Sequence, residues 1–115
     1  MNETIVMKNV MQLENIFKEN PKLNLWVFEY GITHRFIKFI LFEENFFDRV
    51  EVYCIGCTFF KGELQGGPYR LFLEEGESNN DDSESFVIRS ENQDLIFNIE
   101  EVTKIAPLNY VEPDK

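Results

Sequence analysis

Residues 23–42 read LNLWVFEYGITHRFIKFILF, and this stretch decides the fold of the chain. Side chains in residues 23–30 alternate between two faces, which is the period of a β-strand. Gly31 then indicates a turn or bulge, and residues 35–42 form a second β-forming run that is apolar on both faces. We therefore predict two neighbouring strands, the second one central and covered on both sides. The first strand places Leu25, Val27 and Glu29 on one face and Trp26, Phe28 and Tyr30 on the other.

Helical periodicity is confined to residues 9–19 of the sequence. Apolar side chains recur there at spacings of three and four, as a helix that buries one face requires. Asn9 is expected to cap the N-terminus, with Gln12 completing a capping box, and the Asn20-Pro21 step ends the helix because a residue before proline avoids the α region. About ten residues are too few for a helix that is stable alone, so this helix must dock on the remaining chain. The apolar stripe consists of Val10, Leu13, Ile16 and Phe17.

Short β-forming runs separated by polar or glycine-containing turns occupy the rest of the chain. No second helical segment is available to cross between parallel strands, which favours antiparallel pairing. We predict a single α+β domain over residues 1–115, in which the helix packs on an antiparallel, strongly curved sheet or small barrel of six to seven strands within residues 23–105. Four further intervals are assigned: a β-rich run at 50–60 interrupted at Gly56, a glycine-rich loop at 62–68, an acidic loop at 74–85 and an irregular tail at 106–115.

The charge balance excludes some functions. The chain has 115 residues, with 11 Lys and Arg against 21 Asp and Glu, for a net charge of −10. Direct nucleic-acid binding needs a basic face to neutralise phosphates, and anionic membranes repel an acidic chain, so we expect neither. Charged residues interrupt the first twenty positions, which excludes an apolar signal core, and two cysteines fit a reducing compartment. We therefore expect a cytoplasmic protein.

The motif Cys54-Ile-Gly-Cys57 is the sharpest candidate for chemistry. On a regular strand the two thiols would face opposite ways, but a bulge at Gly56 would change that geometry. A helix N-terminus, which lowers the pKa of redox-active cysteines, does not follow the motif. We therefore favour buried structural thiols, and we expect no cofactor. A metal site formed by Cys54 and Cys57 with His34 as a third ligand is the alternative.

Aromatic residues point to a binding surface. The chain contains twelve Phe, four Tyr and one Trp, and most of these rings must be core. Phe46 and Phe47 lie between acidic residues in an apparent connector, so with Trp26 they are candidates for an exposed contact patch. Asp81 and Asp82 of the acidic loop are candidates for contacts to a basic partner.

No residue pattern in the sequence supports a catalytic assignment, because the chain has one histidine and no nucleophile signature. We therefore expect a non-enzymatic module that binds a protein partner or forms a homodimer. Two alternatives stay open: a small metal, redox or thiol-dependent protein that uses Cys54 and Cys57, and a small-molecule-binding domain with an aromatic-lined pocket.

Overall fold

The computed structural model describes residues 3–31, 33, 35–44, 49–76 and 85–107. In these residues it contains one helix and nine strands, all of them paired antiparallel. The elements are α1 (Glu3–Glu19), β1 (Leu23–Gly31), β2 (Phe36–Phe42), β3 (Val50–Ile55), β4 (Phe60–Lys61), β5 (Gln65–Tyr69), β6 (Leu71–Glu75), β7 (Phe86–Ser90), β8 (Ile96–Ile99) and β9 (Glu101–Pro107).

The strands form two sheets. The five-stranded sheet has the order β5-β1-β2-β3-β9, and the four-stranded sheet has the order β4-β8-β7-β6. The chain changes sheet between β3 and β4, between β4 and β5, between β5 and β6, and between β8 and β9. Buried apolar residues of both sheets belong to one core.

The core lies between the two sheets and α1. Alternate residues of the central strands face inward, and Phe39 of the five-stranded sheet meets Phe97 of the four-stranded sheet edge to face, with ring centroids 5.5 Å apart. Helix α1 contacts β9 and β6, one edge strand from each sheet. Three residues of the predicted helical stripe are buried against this core, namely Val10, Leu13 and Phe17. The fourth, Ile16, is partly buried. Within the described residues, α1 is not long and apolar enough to cross a membrane.

The predicted α+β class with a helix on antiparallel strands is confirmed, but the single curved sheet or barrel is wrong. Two separate sheets form because the run at 50–60 is not continuous: Gly56 has a φ of +87° and the chain leaves the five-stranded sheet there. The count of six to seven strands is also too low. The glycine-rich interval, expected to be a loop, contributes β5, which pairs with β1.

Several predicted boundaries also change. The helix begins at Glu3, so Asn9 lies inside it and does not cap it; its side chain instead donates a hydrogen bond to the carbonyl of Val102 over 2.9 Å. The first two residues of the expected acidic loop, Glu74 and Glu75, belong to β6, and residues 77–84 lie outside the described part. Strand β9 extends to Pro107 and so includes the start of the expected tail. Residues 108–115 lie outside the described part of the chain.

Candidate binding face

The side of the five-stranded sheet that faces away from the core is called the outer face here. It forms because burial alternates along the paired middle parts of β2 and β3: Ile37, Phe39, Val52 and Cys54 are buried in the core, so the residues between them point the other way. Among the described elements, α1 packs against β9 and β6 and not against the middle of this face. No described helix therefore covers this side of β2, which was expected to be a central strand covered on both sides. The face carries Phe28, Phe36, Lys38, Tyr53, Ile55 and Lys104.

Tyr53 lies at the centre of the outer face. The ammonium nitrogens of Lys38 and Lys104 lie 5.1 and 5.3 Å from the centroid of its ring. The ring of Phe28 meets it edge to face at 6.3 Å, and Lys38 also lies 5.3 Å from the centroid of Phe36. Each such cation–π contact is worth about 0.5–1 kcal/mol at an exposed site. The result is an aromatic surface whose positive charges are fixed over its rings.

Two glutamates balance the lysines of this face. Lys38 Nζ lies 3.0 Å from Glu29 Oε1, and the hydroxyl of Tyr53 donates to Glu51 Oε1 over 2.9 Å. This hydrogen bond, followed by partial burial, raises the pKa of Tyr53 above its usual value, so the phenol keeps its proton and remains a donor. The face is thus close to neutral, although the chain as a whole carries −10.

Exposed apolar side chains cluster where β1 ends, β2 begins and β3 ends. Gly31 pairs with Phe36 and Phe36 pairs with Ile55, so these three strand ends lie side by side. Leu64 lies beside the middle of β1, because its carbonyl accepts a hydrogen bond from Val27 N. We call the region of the three strand ends the apolar end. Its large exposed side chains are Phe28 (44% exposed), Tyr30 (37%) and Ile55 (38%), with Phe59 (46%) beyond the Gly56 bulge.

Only part of the predicted interaction site lies in the described residues. Trp26 is half-buried and meets Phe42 edge to face at 5.0 Å. Phe46, Phe47, Asp81 and Asp82 lie outside the described residues, so their assignments stay predictions.

Sequence reasoning did not single out Phe28, Phe36, Tyr53 and Ile55 as surface residues. The sequence does contain one indication of this face. Lys38 is the only charged residue in β2, and the residues two positions from it along the strand share its side of the sheet. That signal was not used because β2 was expected to be covered on both sides.

The two thiols lie on the core side of the bulge at Gly56. The backbone N–H groups of Gly56 and Cys57 both donate to the carbonyl of Arg35, over 2.7 and 2.8 Å, so two residues of this strand oppose one of its partner. Cys54 and Cys57 are therefore both buried, 1% and 2% exposed, and both are free thiols. Burial raises the pKa of each, and Cys57 Sγ donates to Phe59 O over 3.4 Å. This environment opposes thiolate formation.

The metal hypothesis gains no third ligand from the described residues. No group of three or more His, Cys, Asp or Glu side chains in them could hold an ion. His34 lies outside the described residues, so a site with Cys54, Cys57 and His34 remains a hypothesis.

A polar cleft of about 740 Å³ lies between the glycine-rich interval and the turn at 91–94. Glu63, Glu91 and Asp94 line it together with Arg70. The pKa of Tyr69 in this cleft is raised, first by burial and then by the charges of Glu63 and Asp94. The cleft thus adds to the negative potential of the molecule, at a distance from the neutral outer face.

Comparison of the chain with protein-family models, with curated proteins and with solved structures finds no match.

Proposed function

We propose that this protein is a non-enzymatic binding module that holds a protein partner against the outer face and the apolar end. The observation that carries the proposal is the exposure of Phe28, whose ring meets Tyr53, and of Ile55, two residues beyond Tyr53 on the same side of β3, in a sheet whose opposite face carries the core residues of β2 and β3. Large apolar side chains exposed side by side characterise contact surfaces more than ordinary surface.

The composition of the face matches that of an interface centre. Aromatic residues are enriched at such centres, because a rigid ring buries a large area at little cost in conformational entropy. Lys38 and Lys104 lie over aromatic rings, so their aliphatic stems add apolar contact area while their ammonium groups stay available for hydrogen bonds. A partner would therefore meet apolar area and hydrogen-bond donors together.

The net charge of −10 favours a basic partner. Carboxylates away from the face would attract such a partner over a distance comparable to the Debye length, about 8 Å at physiological ionic strength. Attraction of this kind mainly increases the association rate and weakens with salt. In this proposal the acidic residues Asp81 and Asp82 contribute to steering, and Trp26, Phe46 and Phe47 extend the contact surface.

A thiol-dependent function is the weaker alternative. Reactive cysteines need an accessible thiolate, whereas Cys54 and Cys57 are buried among apolar side chains with raised pKa values. The geometry thus supports a packing role for both thiols.

The test compares two outer-face variants with a matched control. Phe28→Thr and Ile55→Thr remove exposed apolar area while keeping β propensity, and Met11→Thr removes a 59% exposed apolar side chain from α1. The wild-type protein is used to capture a partner from an extract of the cells that produce it, and the partner is purified. Calorimetry then measures the dissociation constant of the partner with the wild-type protein and with each of the three variants.

We expect Phe28→Thr and Ile55→Thr each to weaken binding about tenfold or more, with Met11→Thr near the wild-type value. Equal affinities for all four proteins would show that the partner binds elsewhere. Sedimentation of the wild-type protein over a range of concentrations distinguishes a foreign partner from a second copy of the chain.

A further inference from the structure

A second cavity lies at the end of the five-stranded sheet opposite the apolar end. It is bounded by the last turn of α1, the start of β1, the end of β2 and the start of β3. Its volume is about 440 Å³, within the range of roughly 300–1,000 Å³ that is usual for small-molecule sites. None of the outer-face residues Phe28, Phe36, Lys38, Tyr53, Ile55 and Lys104 lines it, and a ligand there does not depend on the function proposed for that face.

The floor of this cavity is apolar and its rim is polar. Ile16, Leu23, Leu41, Phe42 and Val50 provide the floor, and four of these five residues belong to or adjoin the packed core. Asn20, Lys22, Glu43 and Glu44 provide the described rim. An apolar floor with a few charged groups at the mouth suits a ligand that has an apolar body and one charged end.

Three features of the rim favour a positive charge at that end. Glu43 and Glu44 bring two carboxylates, against the single ammonium of Lys22. Helix α1 ends at Glu19, so the negative end of its dipole, equivalent to about half an elementary charge, lies beside the mouth. A positive charge near a helix C-terminus is stabilising, because it faces the negative end of the dipole.

Side-chain hydrogen bonds hold both walls of the mouth in place. Asn20 donates from its backbone N and from Nδ2 to the carbonyl of Ile16, over 3.1 and 2.8 Å, which fixes the end of α1. Asn24 Nδ2 donates to Glu43 O over 2.8 Å, which ties the end of β2 to β1. The backbone that carries Glu43 is thus set relative to the floor before any ligand arrives, and this reduces the entropy cost of binding.

We propose that this cavity binds a small amphiphilic cation, an alkyl- or arylammonium compound. Its apolar part lies on the floor formed by Leu23, Leu41 and Val50. Its ammonium group lies at the mouth, near Glu43, Glu44 and the C-terminus of α1. Burial of the apolar part supplies most of the affinity, and the charged rim selects cations over anions.

The probes are octylammonium, octanoate and ethylammonium, each below its micelle-forming concentration. Octylammonium and octanoate have alkyl chains of the same carbon count but head groups of opposite charge. Ethylammonium keeps the ammonium head group but lacks the long alkyl chain. Binding is followed by calorimetry and by amide chemical-shift changes. We expect one equivalent of octylammonium to bind, at least about tenfold more tightly than octanoate or ethylammonium, with shifts concentrated at residues lining the cavity.

A matched pair of variants separates the cavity from general attraction to an acidic protein. The double variant Glu43→Gln/Glu44→Gln removes two negative charges from the mouth, and Glu100→Gln/Glu101→Gln removes two from the junction of β8 and β9, which does not line the cavity. We expect the first to lose most of the preference for octylammonium over octanoate and the second to keep it. The proposal would be overturned if both double variants lost the preference equally or if octanoate bound as tightly as octylammonium. It would also be overturned if octylammonium bound at several equivalent sites or did not bind.

Discussion

Asn9 of α1 and Val102 of β9 are joined by a hydrogen bond of 2.9 Å across 93 positions of the chain. The side chain of Asn9 reaches from inside the helix to a backbone carbonyl of an edge strand of the five-stranded sheet. This contact sets the position of α1 along β9, beside the apolar contacts of Val10 and Leu13 with the core.

Replacing Asn9 with alanine is expected to lower the free energy of unfolding by about 1 kcal/mol, because the half-buried bond to Val102 O is lost and a carbonyl is left without that donor. Urea denaturation followed by circular dichroism measures the change. Gln12→Ala, at an exposed position of the same helix, is the control and should change the free energy by less than about half as much. Because alanine favours the helix more than either replaced residue, equal effects of the two substitutions would mean that the bond to Val102 O contributes little to stability.

Gly56→Ala is expected to destabilise the protein by about 2 kcal/mol or more. The φ of +87° is unfavourable for any residue with a Cβ, and a Cβ at this position would lie 2.4 Å from Cβ and Cγ of Glu100. Gly76→Ala is the comparison, because Gly76 has no positive φ and its added Cβ would approach only the hydroxyl of Ser85 closely, at 2.7 Å. Denaturation midpoints measure both, and a Gly76 variant as unstable as the Gly56 variant would contradict the role of the bulge.

Asn98 holds the segment that carries Cys57. Its Oδ1 accepts hydrogen bonds from the backbone N–H groups of Thr58 and Phe59, both over 2.9 Å, and its Nδ2 donates to Thr58 Oγ1 over 2.7 Å. Asn98→Ala should therefore raise the rate at which iodoacetamide labels Cys57 about tenfold or more through local opening. Mass spectrometry of the labelled peptides measures the rates of both thiols.

Cys54, deeper in the sheet, serves as the internal reference for that labelling experiment, and Asn92→Ala in the turn after β7 is the control variant. An equal increase at Cys54 and Cys57 would indicate global unfolding. An unchanged rate at Cys57 would show that Asn98 does not keep this segment closed.

Stability should fall as the pH rises above about 8.5. Burial raises the pKa of Cys54 and of Cys57 in the folded state, while in the unfolded chain a thiol titrates near 8.5. The unfolded state therefore releases protons that the folded state keeps. Cys54, the more deeply buried thiol, lowers the free energy of unfolding by up to about 1.4 kcal/mol per pH unit above 8.5, and Cys57 adds to the slope in the same direction. Urea titrations between pH 7 and 9.5 measure the slope, below the range in which tyrosines of the unfolded chain titrate.

The variant Cys54→Ala tests the origin of that slope. It should be less stable than the wild-type protein at pH 7, because a buried side chain is truncated, but its stability should depend less on pH. A slope equal to that of the wild-type protein would assign the pH dependence to other groups.

The sequence predicted the parts of the fold that periodicity controls. The stripe of Val10, Leu13 and Phe17 is buried as its spacing predicts, and the strand predicted at residues 23–30 is β1. The predicted faces hold only up to Val27: a bulge between Val27 and Glu29 puts Glu29 opposite Lys38 on the outer face and Tyr30 opposite the buried Ile37, the reverse of the expected sides. The extension of the helix to Glu3 was missed, because residues 3–8 were assigned no periodicity and Asn9 fits a capping position.

The division into two sheets could not be derived from local patterns. It depends on the backbone at Gly56, where a positive φ accompanies the passage of the chain from one sheet to the other. It also depends on the pairing of Gln65–Tyr69 with β1, and that segment contains no run of β-forming residues that would predict a strand. The outer face was missed for a related reason. Tyr53 and Ile55 share one side of β3, but Phe28 of β1 reaches the ring of Tyr53 only through the strand order, which the sequence does not state.

The contact of α1 with β9 and β6 also affects aggregation. An unprotected edge strand offers free backbone groups to which another chain can add by edge-to-edge pairing. In the described part of the fold, α1 lies against one edge strand of each sheet, β5 contains Pro68, which lacks an N–H group, and β4 has only two residues. An aromatic outer face can thus remain exposed without a neighbouring edge that would let copies extend the sheets into fibrils.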